Sequence, residues 1–579
     1  MTGLFSFAAM AVAFACSAQA FASSCQAGGD VRFDAGFDRM ERDWNLTNYK
    51  DRLTVGVSNV LDTTAFTLTL TNEGCVTPWK LDTGFLLRSR KFGVTPGKDF
   101  QIAITSIGTY QMNLARGAMS SFVRWRDGND KPLKDVFNYT FNVLSNRAYT
   151  ARVNGRVPKG AASAELVIGA DEPNMRTRQH LALFRATFSE YPAGSVPADP
   201  EPRPVELFGP PPTKEELSLS HRLIDEKGYL VVDGRRFFPI GIYGFWKTPR
   251  NGESFERGIK ELKDAGFNTV QVYRTKRTDQ FTELLDALDR NDMKIFMSPA
   301  EKSFFTVDDI RANIMAEKGR KCLLSWYLAD DTSQHNTPVS LRTLHLESHR
   351  LDPFHVTSQA DGVGPEHTSK YAPFLDSTDV FLPEIYPVTS AVPTGKEVSR
   401  VVSEMKTIAR DLAARPDRRK SVWPIIQFFE GWSVWKRYPT AKELRAMSFE
   451  ALIHGAQGIT WYTYYGSSRK RSGHGVTWDD GKWAIMSAVS KEIAALVPDL
   501  ICDNAEKQPQ VSVLSGPELD PHGYPSVSVL LKDSSPERLL MAANATTNSV
   551  TASIVIDGGD PIVETFEPYG VRTYRIRRN

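Results

Sequence analysis

Two apolar runs in this sequence end in carboxylates, and paired carboxylates can do acid–base chemistry. The run that begins at Cys322 ends in Asp330 and Asp331, and the run that begins at Trp423 ends in Glu430. A (β/α)8 barrel builds its active site from side chains at the C-terminal ends of its strands. Two carboxyl groups on two strands are the minimum that glycoside hydrolysis requires. The alternative is that these are solvated carboxylates where strands meet loops.

The adjacent residues Asp330 and Asp331 leave open which carboxylate faces a cleft. Neighbouring side chains on a strand point to opposite faces, but a turn at the strand end would let both reach one site. Repulsion between them would then raise the pKa of one, which suits a general acid. We expect Asp331 to be catalytic. Asp330 is a second candidate, and its alternative roles are to cap the next helix or to orient its neighbour.

Glu384 is a third candidate acid, near the end of another predicted strand. We expect it to orient substrate, to modulate a neighbouring acid or to serve as base in place of Glu430; the alternative is a structural acid bonded to a neighbouring strand. Aromatic residues crowd the same strand ends, and aromatic rings stack on the apolar faces of sugars. The aromatic residues predicted to bind substrate are Tyr243, Trp246, Tyr273, Tyr386, Trp432 and Trp461.

Two predicted loops carry basic clusters, at residues 274–277 and 469–471, and His474 follows in the second loop. These loops come after the two strands that flank the first strand of the barrel, so we expect them to converge. Arg274 and His474 are therefore predicted to contact substrate. Local positive charge would favour an acidic polysaccharide, because arginine binds a carboxylate through paired hydrogen bonds. The alternative is ordinary solvated loop charge.

Apolar strands alternate with amphipathic helices from Gly228 to about Leu500. The predicted strands begin at residues 237, 269, 294, 322, 354, 380, 423 and 458. Eight such repeats match the usual size of a TIM barrel. A doubly wound open sheet is the competing architecture. The count of eight and the absence of a Gly-rich first turn favour the barrel.

Segments with strand-like alternation flank this barrel on both sides. Residues 23–190 show period-two alternation with β-branched residues, which predicts a β-sandwich of the carbohydrate-binding kind. The proline-rich segment 191–215 is typical of a semi-rigid linker. The barrel is assigned to 216–505, and 506–579 is predicted to be a second, smaller β-sandwich.

The barrel segment resembles the clan A-type glycoside hydrolases. Gly228-Tyr-Leu-Val-Val-Asp-Gly-Arg-Arg-Phe-Phe-Pro-Ile-Gly-Ile-Tyr is similar to their lead-in and first strand, and Trp326-Tyr-Leu-Ala-Asp-Asp331 to their fourth strand. Glu384-Ile-Tyr-Pro and Gly455-Ala-Gln-Gly-Ile-Thr-Trp-Tyr resemble their sixth and eighth strands. The resemblance covers about residues 228–500 and does not single out one family.

This resemblance implies that Asp331 is the acid/base and Glu430 the nucleophile. The sequence departs from the usual pattern, because Asp330 replaces the expected Asn and Asp331 replaces the expected Glu. A shorter acid would sit farther from the nucleophile. Since retaining enzymes need about 5–5.5 Å between the carboxyl groups and inverting enzymes about 6.5–9.5 Å, the stereochemical outcome is open.

Composition excludes several classes of function. The net charge is +2 over 579 residues, so no global field points to nucleic acid or to a membrane surface. No apolar run after the N-terminus reaches the roughly 18 residues of a membrane span. No motif for a dinucleotide, a phosphate or another cofactor appears, and no cysteine or histidine spacing resembles a metal site.

Residues 1–22 are predicted to be a signal peptide, which implies a secreted or periplasmic protein. A short apolar core, residues 4–15, precedes small-residue cleavage sites; a lipoprotein signal at Cys16 is the alternative. Export permits disulfides. We expect Cys25 to pair with Cys75, and Cys322 to be a buried thiol.

The sequence therefore predicts a glycoside hydrolase that acts on a polysaccharide or oligosaccharide through two carboxylates. One alternative is a glycan-binding protein that keeps the barrel without the chemistry. Another is a scaffold for a protein partner, which predicts a large apolar surface instead of a polar aromatic cleft. The sugar, the linkage and the oligomeric state stay open.

Overall fold

The computed structural model describes residues 29–577 with gaps at 38–39, 49–52, 61–62, 71–83, 109–120, 140, 142, 145–146, 172–179, 201–203, 205–208, 274, 301–306, 337, 363–369, 432–433 and 466–474. The predicted signal peptide, Cys25, Cys75, Arg274, Trp432, the cluster at 469–471 and His474 lie outside the described residues. The chain forms two compact units, one with the N-terminal sheets and one with the barrel and the C-terminal sheets.

Among the described residues before Pro211, the first unit has antiparallel strands and one short helix, α1 (Met40–Asp43); residues 333–339 also cluster with this unit. Its strands β1–β12 are Asp30–Gly36, Trp44–Asn48, Leu53–Val60, Thr63–Leu70, Gly84–Ser89, Phe92–Gly93, Asp99–Gly108, Ser121–Arg126, Pro132–Tyr139, Tyr149–Arg156, Ser163–Asp171 and His180–Tyr191. One sheet has the order β10-β7-β12-β4-β3 with β1 on β12, and the other has the order β2-β5-β11-β8-β9 with β6 on β11.

The two sheets of this unit share one apolar core. Phe100 on one sheet and Trp125 on the other are fully buried, and their ring centroids lie 5.5 Å apart. Strand β8 shows the alternation of buried and half-buried residues that predicts such packing. The predicted N-terminal β-sandwich is confirmed as an architecture.

The second unit opens with helix α2 (Lys214–Leu223) and a hairpin of β13 (Leu230–Val232) and β14 (Arg235–Phe237). The barrel strands follow. They are β15 (Ile240–Ile242), β16 (Thr269–Gln271), β17 (Lys294–Met297), β18 (Leu323–Ala329), β19 (Val356–Gly362), β20 (Val380–Ile385), β21 (Ser421–Val422) with β22 (Ile425–Gln427), and β23 (Ile459–Tyr462).

These strands form a closed parallel barrel, as predicted. Each strand pairs with the next, and β23 pairs with β15 to close the circle, with Ile240 opposite Ile459. The seventh strand is split into β21 and β22 around Pro424, which has no N–H to give to a ladder. The competing open-sheet architecture is wrong, because an open sheet would leave two unpaired edges.

Helices follow the barrel strands along the chain. They are α3 (Phe255–Asp264), α4 (Asp279–Arg290), α5 (Val307–Glu317), α6 (Thr332–His335), α7 (Pro338–Leu351), α8 (Glu397–Ala413), α9 (Ala441–Ile453) and α10 (Asp480–Leu500). Local sequence sets their starts. Thr440 caps α9 through a reciprocal box with Glu443, and Asp479 accepts the Lys482 N–H at the start of α10. A single 3-10 turn, Ala372–Phe374, precedes β20.

The C-terminal strands form two three-stranded antiparallel sheets. Strands β24–β29 are Gln510–Ser515, Val527–Lys532, Glu537–Asn544, Val550–Val555, Ile562–Phe566 and Val571–Arg577. Their orders are β24-β27-β28 and β25-β26-β29, and both sheets contribute to one buried apolar cluster. Arg445 of α9 donates to the Val571 carbonyl at 3.1 Å, which joins this sandwich to the barrel. Among the described helices, none combines the length and apolarity needed to cross a membrane.

Candidate active site at the C-terminal ends of the barrel strands

Strands β18 and β20 bring two of the predicted acids together. Val380 and Leu382 of β20 point into the barrel core, and Glu384 continues the same alternation one step further along the strand. Asp330 directly follows β18. The carboxyl groups of Asp330 and Glu384 hydrogen-bond each other. A hydrogen bond between two carboxyl groups needs one proton, so one member of the pair is protonated.

Glu384 is the member that holds the proton. Burial raises the pKa of Glu384 well above its usual range, and so do the negative charges of Asp330, Asp331 and Asp361. The Glu384 side chain is half-buried. A carboxyl group whose pKa is raised by its surroundings is able to act as a general acid.

Asp330 is held by the strand that delivers it. The Tyr327 hydroxyl donates to Asp330 Oδ1 at 2.7 Å. A hydrogen bond donated by a neutral group favours the ionised form of a carboxyl group. Asp330 accepts one such bond from the Tyr327 hydroxyl and a second from the protonated carboxyl group of Glu384. The arrangement therefore divides the two acids into a protonated Glu384 and a charged Asp330.

Asp331 occupies a left-handed turn immediately after Asp330. Its φ is 47°, a conformation that aspartate tolerates better than most residues. This turn interrupts the strict alternation of a strand, and both adjacent carboxylates act on Glu384. The expected turn is present, and through it two neighbouring acids influence the same site. Asp331 is half-buried.

Glu430 lies on the other side of its strand. Phe429 contacts Tyr386 and Tyr462 inside the barrel mouth, with ring centroids at 5.0 and 5.1 Å. Glu430 Oε2 instead accepts the Tyr438 N–H at 3.1 Å, and Phe428 packs on the Tyr438 ring. Residues 428 and 430 therefore share one side, and Phe429 has the inward position that the resemblance implies for a nucleophile. The structure does not bring Glu430 into the Asp330–Glu384 pair.

Tyrosine rings form one wall around the acid pair. Tyr243 is fully buried, and its hydroxyl lies 3.4 Å from the Tyr327 hydroxyl. Tyr386 is half-buried, with its ring centroid 5.9 Å from that of Tyr462. Tyr273 is 48% exposed, and its ring centroid lies 6.3 Å from that of Tyr462. Three of the six predicted aromatic contacts, Tyr243, Tyr273 and Tyr386, thus lie beside the acids.

Trp246 and Trp461 lie elsewhere. Trp461 is fully buried between β23 and the helices, where its indole N–H donates to Ser448 Oγ at 3.2 Å. Trp246 is 7% exposed and packs edge-on against Phe255 at 5.2 Å. Both rings therefore have packing partners of their own, and their predicted contact with sugar stays a prediction.

The site contains residues that the sequence prediction missed. Tyr462 is the inward neighbour of Trp461, and a shift of one residue along a strand exchanges its two faces. Asp361 is 1% exposed, and its Oδ1 lies 3.6 Å from Lys370 Nζ. It was missed because the predicted fifth strand ends at Ser358, whereas β19 continues to Gly362. Continuing the apolar run through Ala360 would have placed Asp361 at a strand end.

The basic loop after β16 is used partly for its own structure. Arg277 donates to the Thr275 carbonyl at 2.6 Å and to the Ser298 carbonyl at 3.3 Å. Its guanidinium also lies 5.0 Å from the Phe281 ring centroid. Arg277 therefore braces the loop, and the prediction of an acidic substrate stays a prediction.

Comparison with known proteins gives distant structural similarities. No protein-family model matches the sequence, and a search of the curated proteins finds no match. A glycoside hydrolase family 5 protein from Bacteroides vulgatus aligns at a TM-score of 0.43 and 13% identity, covering 61% of this chain and 92% of that one. An α-amylase from Geobacillus thermoleovorans, crystallised with acarbose, gives 0.37 and 10%, covering 58% and 98%.

Two further structures extend the range of similar proteins. A Clostridium thermocellum endo-1,4-β-D-xylanase with its CBM22-1 and GH10 modules gives a TM-score of 0.30 at 8% identity, covering 81% of this chain and 98% of that one. Tailspike protein 4 of bacteriophage CBA120 gives 0.19 at 18%, covering 26% of this chain and only 19% of that one. Because all four TM-scores are below 0.5, these similarities identify neither the fold nor the substrate nor the activity of this chain.

Proposed function

We propose that this chain hydrolyses glycosidic bonds in a polysaccharide or oligosaccharide. The observation that carries the proposal is the hydrogen-bonded pair of Asp330 and Glu384 beneath a wall of tyrosines at the C-terminal ends of the barrel strands. The proposal needs a protonated acid, a charged carboxylate and aromatic surface at one site. These three features coincide at the position where barrels of this kind place their chemistry.

Glu384 acts as general acid in this proposal. It gives its proton to the glycosidic oxygen as the bond to the anomeric carbon breaks, and positive charge develops on the sugar ring. Asp330 accepts the hydrogen bond of Glu384 and keeps the pKa of Glu384 high. The negative charge of Asp330 also stabilises the positive charge that develops on the sugar ring. Asp330 is thus a positioning residue for the acid.

Asp331 is the proposed second carboxylate. Two hydrogen-bonded carboxyl groups have oxygens about 2.5–3 Å apart, which is closer than the spacings of about 5–5.5 Å or 6.5–9.5 Å that glycosidases use. Asp330 and Glu384 therefore do not make a nucleophile–acid pair by themselves. Asp331 lies on the adjoining turn, is half-buried and acts on Glu384 through its charge. It would activate water or attack the anomeric carbon.

The test is reducing-end release from a panel of neutral and acidic polysaccharides. We expect the wild type to release reducing ends from at least one of them. Glu384→Gln and Asp331→Asn should each lower kcat by about 10²–10⁴-fold while binding of the same glycan is retained, because general acid–base groups contribute about that much. Glu430→Gln is the matched control and should keep the wild-type kcat, because the Glu430 carboxylate accepts the Tyr438 N–H of its own loop.

A second candidate function is glycan binding without turnover. Phe429 favours it, because an apolar ring occupies the inward position at the end of the seventh strand. In this alternative the tyrosine wall binds sugar and no polysaccharide releases reducing ends. Measurable binding without release on every substrate would therefore replace the hydrolase with the binding protein.

A further inference from the structure

Three buried side chains that are able to ligate a metal converge at the base of the barrel. His345 and His349 come from α7, and Asp379 immediately precedes β20. One donor atom from each of the three lies within 4.8 Å of the others, and all three residues are buried. Asp379 and Glu384 stand at opposite ends of β20, about 16 Å apart along a strand that rises about 3.3 Å per residue. This cluster is therefore separate from the acid pair.

Helix geometry aims the two imidazoles at one point. Residues four apart lie on the same face of a helix, and the ring centroids of His345 and His349 are 4.6 Å apart. His345 Nδ1 is bonded to Thr357 Oγ1 at 2.7 Å, which leaves Nε2 for another partner. Histidines that bind metals are held in this way, with one ring nitrogen bonded to the protein and the other directed at the ion.

The cluster contains buried polar atoms that lack partners. Among the described residues, neither Asp379 Oδ1 nor His349 Nδ1 has a hydrogen bond. Asp379 Oδ2, by contrast, is close to His349 Nε2 at 2.7 Å and accepts the Thr357 N–H at 2.9 Å. A buried carboxylate oxygen without a partner is unfavourable. Beside two imidazoles, it offers an additional ligand to a cation.

The basic residues next to the cluster are already engaged. Lys420 Nζ donates to the Thr378 carbonyl at 2.6 Å. Arg342 pairs with Glu216 at 3.0 Å, and Arg418 pairs with Asp376 at 2.5 Å.

We propose that His345, His349 and Asp379 bind one divalent transition-metal ion, with Zn²⁺ as the best fit. Two imidazoles and one carboxylate favour zinc over calcium or magnesium, which prefer oxygen ligands. Three protein ligands with bonds of about 2.0–2.2 Å are common for zinc. The ion would join α7 to the start of β20, and would stabilise the end of the barrel opposite the acid pair.

The test uses the full chain, stripped with a chelator, reloaded with zinc sulfate and dialysed. Elemental analysis should give one zinc per chain for the wild type and less than a fifth of that for His349→Ala and Asp379→Asn. Saturating zinc should raise the wild-type melting temperature by about 5 °C or more and leave both variants unchanged. His221→Gln is the control, because His221 is on α2 and bonds the Asp417 carbonyl; it should bind zinc like the wild type.

A measurement on the wild type covers the case in which a variant fails to fold. Cobalt(II) in place of zinc should give the visible d–d absorption of a low-coordinate nitrogen and oxygen site, and added zinc should abolish it. Absence of stoichiometric zinc, or equal zinc uptake by the two variants, overturns the proposal. In that case the cluster is a hydrogen-bonded histidine–aspartate network. Neither result depends on glycan turnover, so this proposal and the hydrolase stand or fall separately.

Discussion

Asp330 and Glu384 hydrogen-bond each other although 54 positions separate them in the sequence and they follow different strands, β18 and β20. Their strands are not adjacent, since β19 lies between them. The pair therefore forms across the mouth of the barrel. Because the two groups are close, the charge of one controls the protonation of the other.

The first prediction concerns this coupling. Asp330→Asn removes the nearest negative charge from Glu384, so the pKa of Glu384 should fall. A general acid works only while protonated, so activity is lost above its pKa, and the alkaline limb of kcat/KM should move to lower pH by about one pH unit. Asp361→Asn should move the limb in the same direction by less. An unchanged limb, or one at higher pH, would contradict the coupling.

The second prediction concerns the tyrosine that holds Asp330. Tyr327→Phe removes the hydroxyl that donates at 2.7 Å and leaves the ring in the core. Asp330 then loses the donor that positions it beside Glu384, so kcat should fall about tenfold or more, and the melting temperature should also fall, because hydrogen bonds to charged groups contribute about 1.5–3 kcal/mol to stability. Tyr464→Phe is the control, because its hydroxyl meets Asn251 away from the acids. Equal losses in both variants would show a general effect of lost hydroxyls.

The third prediction separates the acid pair found here from the pair implied by resemblance. Glu430→Gln should leave kcat within about threefold of the wild type, because the amide oxygen still accepts the Tyr438 N–H and the side chain lies outside the acid pair. A hundredfold loss of turnover with glycan binding intact would contradict this prediction and identify Glu430, at the end of the seventh strand, as the nucleophile.

The fourth prediction concerns the outer face of β18. Asp352 is 1% exposed and accepts the Trp326 indole N–H at 2.8 Å and His355 Nδ1 at 2.8 Å. Burial by itself would raise the pKa of Asp352, but His355 and Trp326 outweigh it and hold the pKa below its usual value. A depressed folded-state pKa stabilises the protein above the unfolded value of about 3.9, and this stabilisation is lost as pH falls.

Asp352→Asn should therefore lower the free energy of unfolding by about 1–2 kcal/mol at pH 7, and the difference should narrow below about pH 4. Urea unfolding at several pH values measures both effects. Asp264→Asn, at an exposed pair with Lys260, should change stability by less than about 0.5 kcal/mol. A difference that widens at low pH would contradict the assignment of the depressed pKa to Asp352.

Local patterns determined the architecture. The alternation of apolar strands and amphipathic helices was enough to predict a closed barrel of eight strands, because each unit must bury one face against the same core. The alternating segments before and after it predicted the flanking sandwiches. Apolar runs precede both Asp330 and Glu384 in the sequence. A hydrophobic run that stops at a carboxylate indicates where a buried strand meets solvent, so the sequence also predicted both acids near strand ends.

Tertiary structure decided which of these residues meet. The alternation of side chains along a strand does not show which residue faces inward where the strand ends. The sequence therefore predicts Trp461 and Glu430 for the site, whereas the inward residues are Tyr462 and Phe429. The Asp330–Glu384 contact depends on barrel closure across β19, and the left-handed turn at Asp331 depends on the loop that follows. The histidine–aspartate cluster has no compact sequence motif, because Asp379 lies 30 positions beyond His349. Side chains so far apart in sequence acquire their pKa values and partners only when folding removes water and brings them together.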